Sequence, residues 1–83
     1  MSTTYERLVE ILGRLHDTPA DLVRPEATFA ELDVDSLTMV EIGIRIERDL
    51  GVVVADSELR TGLTLAATAE LIDAKQTADP AVP

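Results

Sequence analysis

The residues best suited to chemistry in this sequence lie in the stretch ELDVDSL, residues 31–37. Glu31, Asp33 and Asp35 alternate there with apolar residues, and Ser36 follows the last of these acids. Alternating acids are typical of a calcium-binding loop, but Ser36 stands where such a loop needs a glycine, and Ile42 stands where it needs a glutamate. We therefore expect no metal site in this stretch.

Ser36 lacks the neighbours of a catalytic serine. The sequence has no cysteine, its only histidine is His16, and no G-x-S-x-G motif surrounds Ser36. An intrinsic hydrolase is therefore a distant alternative, and we expect the chain not to be an enzyme. Two roles stay open for Ser36. It caps the following helix, as Asp35 also could, or another enzyme modifies it, since free N–H groups and the helix dipole stabilise a phosphodiester at a helix start.

The composition indicates a single small acidic domain. The 83 residues include 16 acidic and 7 basic side chains, which gives a formal net charge of −9. Such a surface is unsuited to nucleic acid but complements a basic protein surface. No apolar stretch approaches the roughly 20 residues of a membrane span, and the first residues do not form a secretory signal. We therefore expect a cytoplasmic protein with no nucleic-acid or membrane partner.

The elements that position Ser36 are predicted to be helices. Apolar residues at i, i+3, i+4 and i+7 predict a first helix over residues 3–16. A long first loop, residues 17–35, follows, and its apolar residues are expected to hold it against the core. Ser36 opens a second helix that ends at Leu50, because Gly51 suits a helix C-terminus.

The second half of the chain is also predicted to be helical. A short third helix is expected over residues 57–61, and a last helix, capped by Thr64, over residues 65–74. The fold class is therefore all-α, a small four-helix bundle of three main helices and a short third helix. The domain spans residues 1–75, and residues 76–83 form a disordered C-terminal tail.

The second helix carries two apolar stripes on a helical wheel. One is an ordinary core stripe made by Met39, Ile42, Ile46 and Leu50. The other, which we call the second stripe, is made by Leu37, Val40 and Ile44. The second stripe either packs beneath the long loop or forms an exposed, charge-bordered surface that docks a partner.

Gly43 lies beside the core stripe of this helix. A glycine inside a helix costs about 1 kcal/mol relative to alanine, so its presence needs a reason. Either another helix packs closely against the bare backbone, or the glycine leaves room beside Met39 and Ile46 for an apolar chain.

The stretch FAELDVDSLTMVEIGIRIERDLGV, residues 29–52, resembles the central region of an acyl carrier protein with its D-S-L attachment motif. The similarity is greatest to the free-standing carriers of actinobacterial fatty acid and type II polyketide synthases, and it extends over residues 5–75. The resemblance implies that Ser36 receives a 4′-phosphopantetheine arm from coenzyme A, attached by a phosphopantetheinyl transferase with Mg²⁺. The arm's thiol would then carry acyl groups as thioesters.

The resemblance also implies partners and contact residues. Partners would be a ketosynthase and other synthase enzymes (acyltransferase, ketoreductase, dehydratase), and the carrier would be a monomer. The implied docking residues are Asp35, Leu37, Val40, Glu41, Ile44, Glu47 and Asp56. The acyl pocket is expected at Met39, Gly43 and Ile46.

Three bases depart from the more uniformly acidic surface of fatty acid carriers, namely Arg45, Arg48 and Arg60. They favour a dedicated synthase of secondary metabolism, such as antibiotic biosynthesis, over a housekeeping pathway. One alternative is a peptidyl or aminoacyl carrier, which would use the same serine, although the acidic residues before Ser36 favour an acyl carrier. The alternative from another class is an unmodified helical protein-binding module in which Ser36 only caps its helix.

Overall fold

Three α-helices form the framework of the protein in this computed structural model, which describes residues 3–55 and 57–77. They are α1 (Thr3–Leu15), α2 (Ser36–Leu50) and α3 (Leu65–Thr77), with 3-10 turns at Ala20–Leu22 and Ala30–Leu32. The described residues form no strand, and a single isolated β-bridge joins Thr28 to Thr64. The predicted all-α fold class is therefore confirmed.

Helix α1 packs against both α2 and α3. Its residues Leu8, Ile11 and Leu12 are buried at i, i+3 and i+4, which places them on one face of the helix. At its N-terminal end the Thr4 hydroxyl donates to the Asp73 carboxylate near the end of α3. The start of α1 therefore lies beside the last turns of α3.

The long first loop is packed rather than loose. Phe29 is fully buried, and Leu32 and Val34 are nearly so. Backbone hydrogen bonds tie the loop to the chain before α3, from Phe29 N–H to the Leu63 carbonyl (3.3 Å) and from Ala30 N–H to the Thr61 carbonyl (2.9 Å). The prediction of a pinned loop is correct for these residues, whereas Leu22 remains exposed.

The predicted short third helix over residues 57–61 is wrong. Among the described residues there, the Glu58 and Leu59 N–H groups both donate to the Ala55 carbonyl, and a separate turn follows in which the Leu63 N–H donates to the Arg60 carbonyl. The carbonyls of Thr61 and Leu63 bond the long loop instead of continuing a helix. Tertiary pairing with the loop thus replaces the local helix.

Helix α3 is longer than the predicted 65–74 segment. It continues through Gln76 and Thr77, so these two residues belong to the helix rather than to the predicted tail. The rest of that tail, residues 78–83, lies outside the described residues. The predicted cap is correct, because the Thr64 hydroxyl accepts a hydrogen bond from the Ala67 N–H at 3.0 Å.

Candidate functional site

The cap of α2 is Asp35, not Ser36. Oδ1 of Asp35 accepts the backbone N–H of Thr38 at 2.8 Å. This hydrogen bond is the main cause that lowers the pKa of Asp35, and the charge of His16 lowers it further. The Ser36 side chain is exposed, and it has no hydrogen-bond partner among residues 3–55 and 57–77. Ser36 is therefore not needed to cap α2, because Asp35 already does so.

The segment before Ser36 is held by local hydrogen bonds. Thr28 and Glu31 form a reciprocal capping box around the 3-10 turn, with distances of 3.0 Å from Thr28 N–H to Glu31 Oε1 and 3.1 Å from Glu31 N–H to Thr28 Oγ1. The turn ends at Asp33, which is left-handed with φ 63°. The His16 ring then contacts the Leu32 carbonyl at 2.8 Å. These contacts fix the approach of the chain to Ser36.

Sequence reasoning missed this capping role of Glu31. The signal was present, because a threonine followed three residues later by a glutamate is the capping-box pattern. One oxygen of Glu31 therefore serves the loop as an acceptor, in addition to contributing negative charge at the surface.

The second stripe is exposed. Leu37 is 71% exposed, Val40 43% and Ile44 53%, whereas Met39, Ile42 and Ile46 are buried. The first of the two readings, in which the second stripe packs beneath the loop, is therefore wrong. The predicted acids Asp35, Glu41 and Glu47 are also exposed, and Asp56 lies outside the described residues. Val53, 67% exposed, is a further large apolar side chain at the surface that sequence reasoning missed.

A cleft of about 430 Å³ opens at Ser36. It is lined by Ser36, Met39, Val40, Leu59, Arg60 and Thr61. Of the predicted acyl-pocket residues, Met39 reaches this cleft, while Ile46 is fully buried in the core. The turn before α3 supplies the other wall, which helical periodicity alone could not indicate.

Gly43 faces that same turn from α2. A Cβ added at Gly43 would lie 3.5 Å from Leu59 Cδ2 and 4.0 Å from the Val54 carbonyl oxygen. Both are ordinary van der Waals distances, so the glycine is not required by a steric clash. Leu59 and Val54, rather than residues of another helix, lie against the bare backbone.

Comparison with known proteins identifies the family of this chain. A family model described as a phosphopantetheine attachment site matches residues 6–72. Polyketide-8 synthase acyl carrier protein 2 of Streptomyces avermitilis is 39% identical over 71 residues, which cover 84% of this chain and 82% of that protein. The chain belongs to the acyl carrier proteins.

Other acyl carriers are similar to this acyl carrier protein. The acyl carrier protein of Thermobifida fusca is 41% identical over 54 residues, covering 64% of this chain and 68% of the relative. The granaticin polyketide synthase acyl carrier protein of Streptomyces violaceoruber is 41% identical over 51 residues, covering 61% and 60%. No solved structure is a significant match.

Family membership confirms several predictions for this acyl carrier protein. It is a carrier without catalytic activity of its own, its prosthetic group is 4′-phosphopantetheine, and it serves fatty acid or polyketide biosynthesis with a phosphopantetheinyl transferase and synthase enzymes as partners. The residues around Ser36 fit the arm, because an exposed hydroxyl with no hydrogen-bond partner in the described part of the chain adjoins an open cleft. Within residues 3–55 and 57–77, no helix is both long and apolar enough to span a bilayer.

Proposed function

We propose that Ser36 is the attachment point of the arm and that this protein is the stand-alone carrier of a type II polyketide synthase. The assignment of Ser36 rests on the different roles of Asp35 and Ser36 at the start of α2. Asp35 caps the helix through Thr38, and this leaves the neighbouring hydroxyl exposed and unbonded among the described residues. The Ser36 hydroxyl is therefore accessible to a modifying enzyme.

The chemistry of loading follows from the position of the hydroxyl. Ser36 Oγ attacks the β-phosphorus of coenzyme A, a P–O bond to serine forms, and the pyrophosphate bond breaks with release of adenosine 3′,5′-bisphosphate. A base on the transferase takes the serine proton, and His16, the only histidine of the sequence, bonds the Leu32 carbonyl. The loaded arm supplies the thiol that this cysteine-free chain lacks.

Docking is assigned to the exposed face of α2. The second stripe supplies apolar contact area, and Asp35, Glu41 and Glu47 border it with negative charge. Charge of one sign raises the rate of encounter with a basic partner, whereas the apolar contacts lengthen the life of the complex. Asp56 is proposed as a further docking residue on the strength of the family resemblance.

The pathway is proposed from the relatives and from the bases of the chain. Two of the relatives named above belong to polyketide synthases, and Arg45, Arg48 and Arg60 interrupt the acidic surface. We infer that the partners are a ketosynthase, acyltransferase, ketoreductase and dehydratase of such a synthase, that the carrier is a monomer, and that it works in the cytoplasm. The relatives are acyl carriers, which favours this role over that of a peptidyl carrier.

The test is intact mass after incubation with coenzyme A, Mg²⁺ and a broad-specificity phosphopantetheinyl transferase. The wild type and Ser57→Ala, a change at another exposed serine, should each gain one phosphopantetheine, and Ser36→Ala should gain none. A wild type that gains nothing, while a known carrier is modified in parallel, would overturn the proposal. A gain that persists in Ser36→Ala would move the attachment to another residue.

A further inference from the structure

We propose that Arg60 is a positioning residue that binds the phosphodiester at the root of the arm and directs the arm across the cleft beside Ser36. This inference rests on the proposed attachment at Ser36. It starts from one juxtaposition: Arg60 and Ser36 line the same cleft, although they come from different elements of the fold.

The Arg60 guanidinium is oriented by one hydrogen bond and keeps other N–H donors for a ligand. Its Nε donates to the Ser57 carbonyl at 3.0 Å, which orients the side chain along the turn. A guanidinium has five N–H donors, and the other four have no partner among the described residues. The acid nearest to it in the described sequence, Glu58, is paired elsewhere, with Lys75 Nζ at 3.0 Å. Arg60 is therefore available to an incoming anion.

The negative charge around Ser36 favours a nearby cation. The chain carries a formal charge of −9, and Asp35 lies directly before the serine. A phosphodiester on Ser36 adds one more negative charge beside that carboxylate. Arg60 is the one base that lines the cleft as the structure describes it. Arginine also suits phosphate oxygens, because its planar fork can donate two parallel hydrogen bonds.

The position of Arg60 predicts a direction for the arm. The cleft has an apolar wall formed by Met39, Val40 and Leu59, and Arg60 and Thr61 supply polar side chains to it. An ion pair at the phosphodiester would turn the first part of the arm toward this cleft rather than along α2. The contact is exposed, so it is weak enough to break when a partner takes the arm.

The test is ³¹P NMR of the loaded protein in four forms: wild type, Arg60→Gln, Arg60→Lys and Arg48→Gln. Arg48 is the matched control, because it is exposed and its loss changes the net charge equally. It lies twelve residues beyond Ser36 on α2, which is about 18 Å along the helix axis. Only protein shown by intact mass to carry one phosphopantetheine enters the comparison.

We expect Arg60→Gln to move the phosphodiester resonance and to narrow its line, while Arg48→Gln leaves both as in the wild type. Arg60→Lys, which keeps the charge but not the fork, should give an intermediate shift. Salt should move the wild-type resonance toward that of Arg60→Gln, since the Debye length falls from about 10 Å at 0.1 M to about 3 Å at 1 M.

Two outcomes would overturn the inference alone. If all four loaded proteins share one resonance and linewidth, Arg60 does not bind the phosphodiester. If Arg48→Gln causes the same shift as Arg60→Gln, the effect is one of net charge and not of contact. Failure of the wild type to gain the arm would instead overturn the proposed function, and this inference with it.

Discussion

Ile42 and Ile44 form a matched pair of substitution sites on α2, since they are the same residue type on opposite faces. Ile42 is fully buried, and Ile44 is 53% exposed. Ile42→Ala should lower the free energy of unfolding by about 2–5 kcal/mol, because it removes buried methyl groups and leaves a cavity. A domain of 83 residues is expected to have only about 4–12 kcal/mol in all, so this loss is severe.

Ile44→Ala should cost far less. Burying a whole isoleucine side chain is worth about 1.5–3 kcal/mol, and rather less than half of Ile44 is buried, so the transfer loss is about 1 kcal/mol. The better helix propensity of alanine offsets a few tenths of that. The expected net loss is about 0.5 kcal/mol.

The assay is urea unfolding followed by circular dichroism, together with the KM for loading by a phosphopantetheinyl transferase. With a slope of about 1 kcal/mol per molar urea, the midpoint should fall by about 0.5 M for Ile44→Ala and by at least about 2 M for Ile42→Ala. The KM should rise about five- to tenfold for Ile44→Ala, since a docking contact of about 1–1.4 kcal/mol is lost.

Two results would refute this reasoning. If Ile44→Ala unfolds as easily as Ile42→Ala, the second stripe is part of the core and not a free surface. If Ile44→Ala is stable but loads with an unchanged KM, the second stripe is free but does not dock this partner.

Three further perturbations follow from individual contacts. Gly43→Ala should stabilise the protein by about 0.5–1 kcal/mol, because its Cβ would meet Leu59 Cδ2 at an ordinary 3.5 Å; a lower urea midpoint would show that the turn cannot accept it. The pKa of Asp35 is lowered chiefly by the Thr38 backbone N–H. The ionised Asp35 therefore stabilises the folded state fully at pH values above the ordinary pKa of about 3.9. This stabilisation is lost as the pH falls through the lower pKa of the folded state. Asp35→Asn, which keeps a capping side chain, should therefore flatten the acid side of the profile of urea midpoint against pH, and a profile identical to that of the wild type would contradict this linkage. Raising salt from about 0.05 to about 0.5 M should slow transfer by a partner enzyme because exposed charges are screened, and an unchanged rate would remove the steering role of the acids.

Helix positions were largely predictable, because they depend on local signals. The apolar spacing located α1 to within one residue, and the D-S start and Gly51 gave both ends of α2. Gly51 has φ 70° and its N–H bonds the Glu47 carbonyl at 3.0 Å, a conformation that glycine adopts without strain. Such patterns act within a few residues and need no knowledge of the rest of the chain.

The failures have a different origin. The 57–61 segment contains residues that can form a helix. However, the carbonyls of Thr61 and Leu63 accept hydrogen bonds from the N–H groups of Ala30 and Phe29, which lie far away in the sequence. The residues predicted to line the acyl pocket all come from α2, whereas the second wall of the cleft at Ser36 comes from Leu59, Arg60 and Thr61. Neither these loop hydrogen bonds nor the meeting of the two cleft walls produces a periodic pattern in the sequence.

The sequence by itself determined that this protein is a small acidic helical carrier and that α2 has two apolar stripes, and it predicts one serine at a helix start as the attachment point. These follow from residue types, their local spacing and the family motif. Only the tertiary structure decided that Asp35 rather than Ser36 caps the helix, that the second stripe is the one left exposed, and that Arg60 shares a cleft with Ser36. Two residues of equal capping propensity can be distinguished only by their hydrogen bonds, and a stripe is exposed or buried according to what the rest of the chain packs against it.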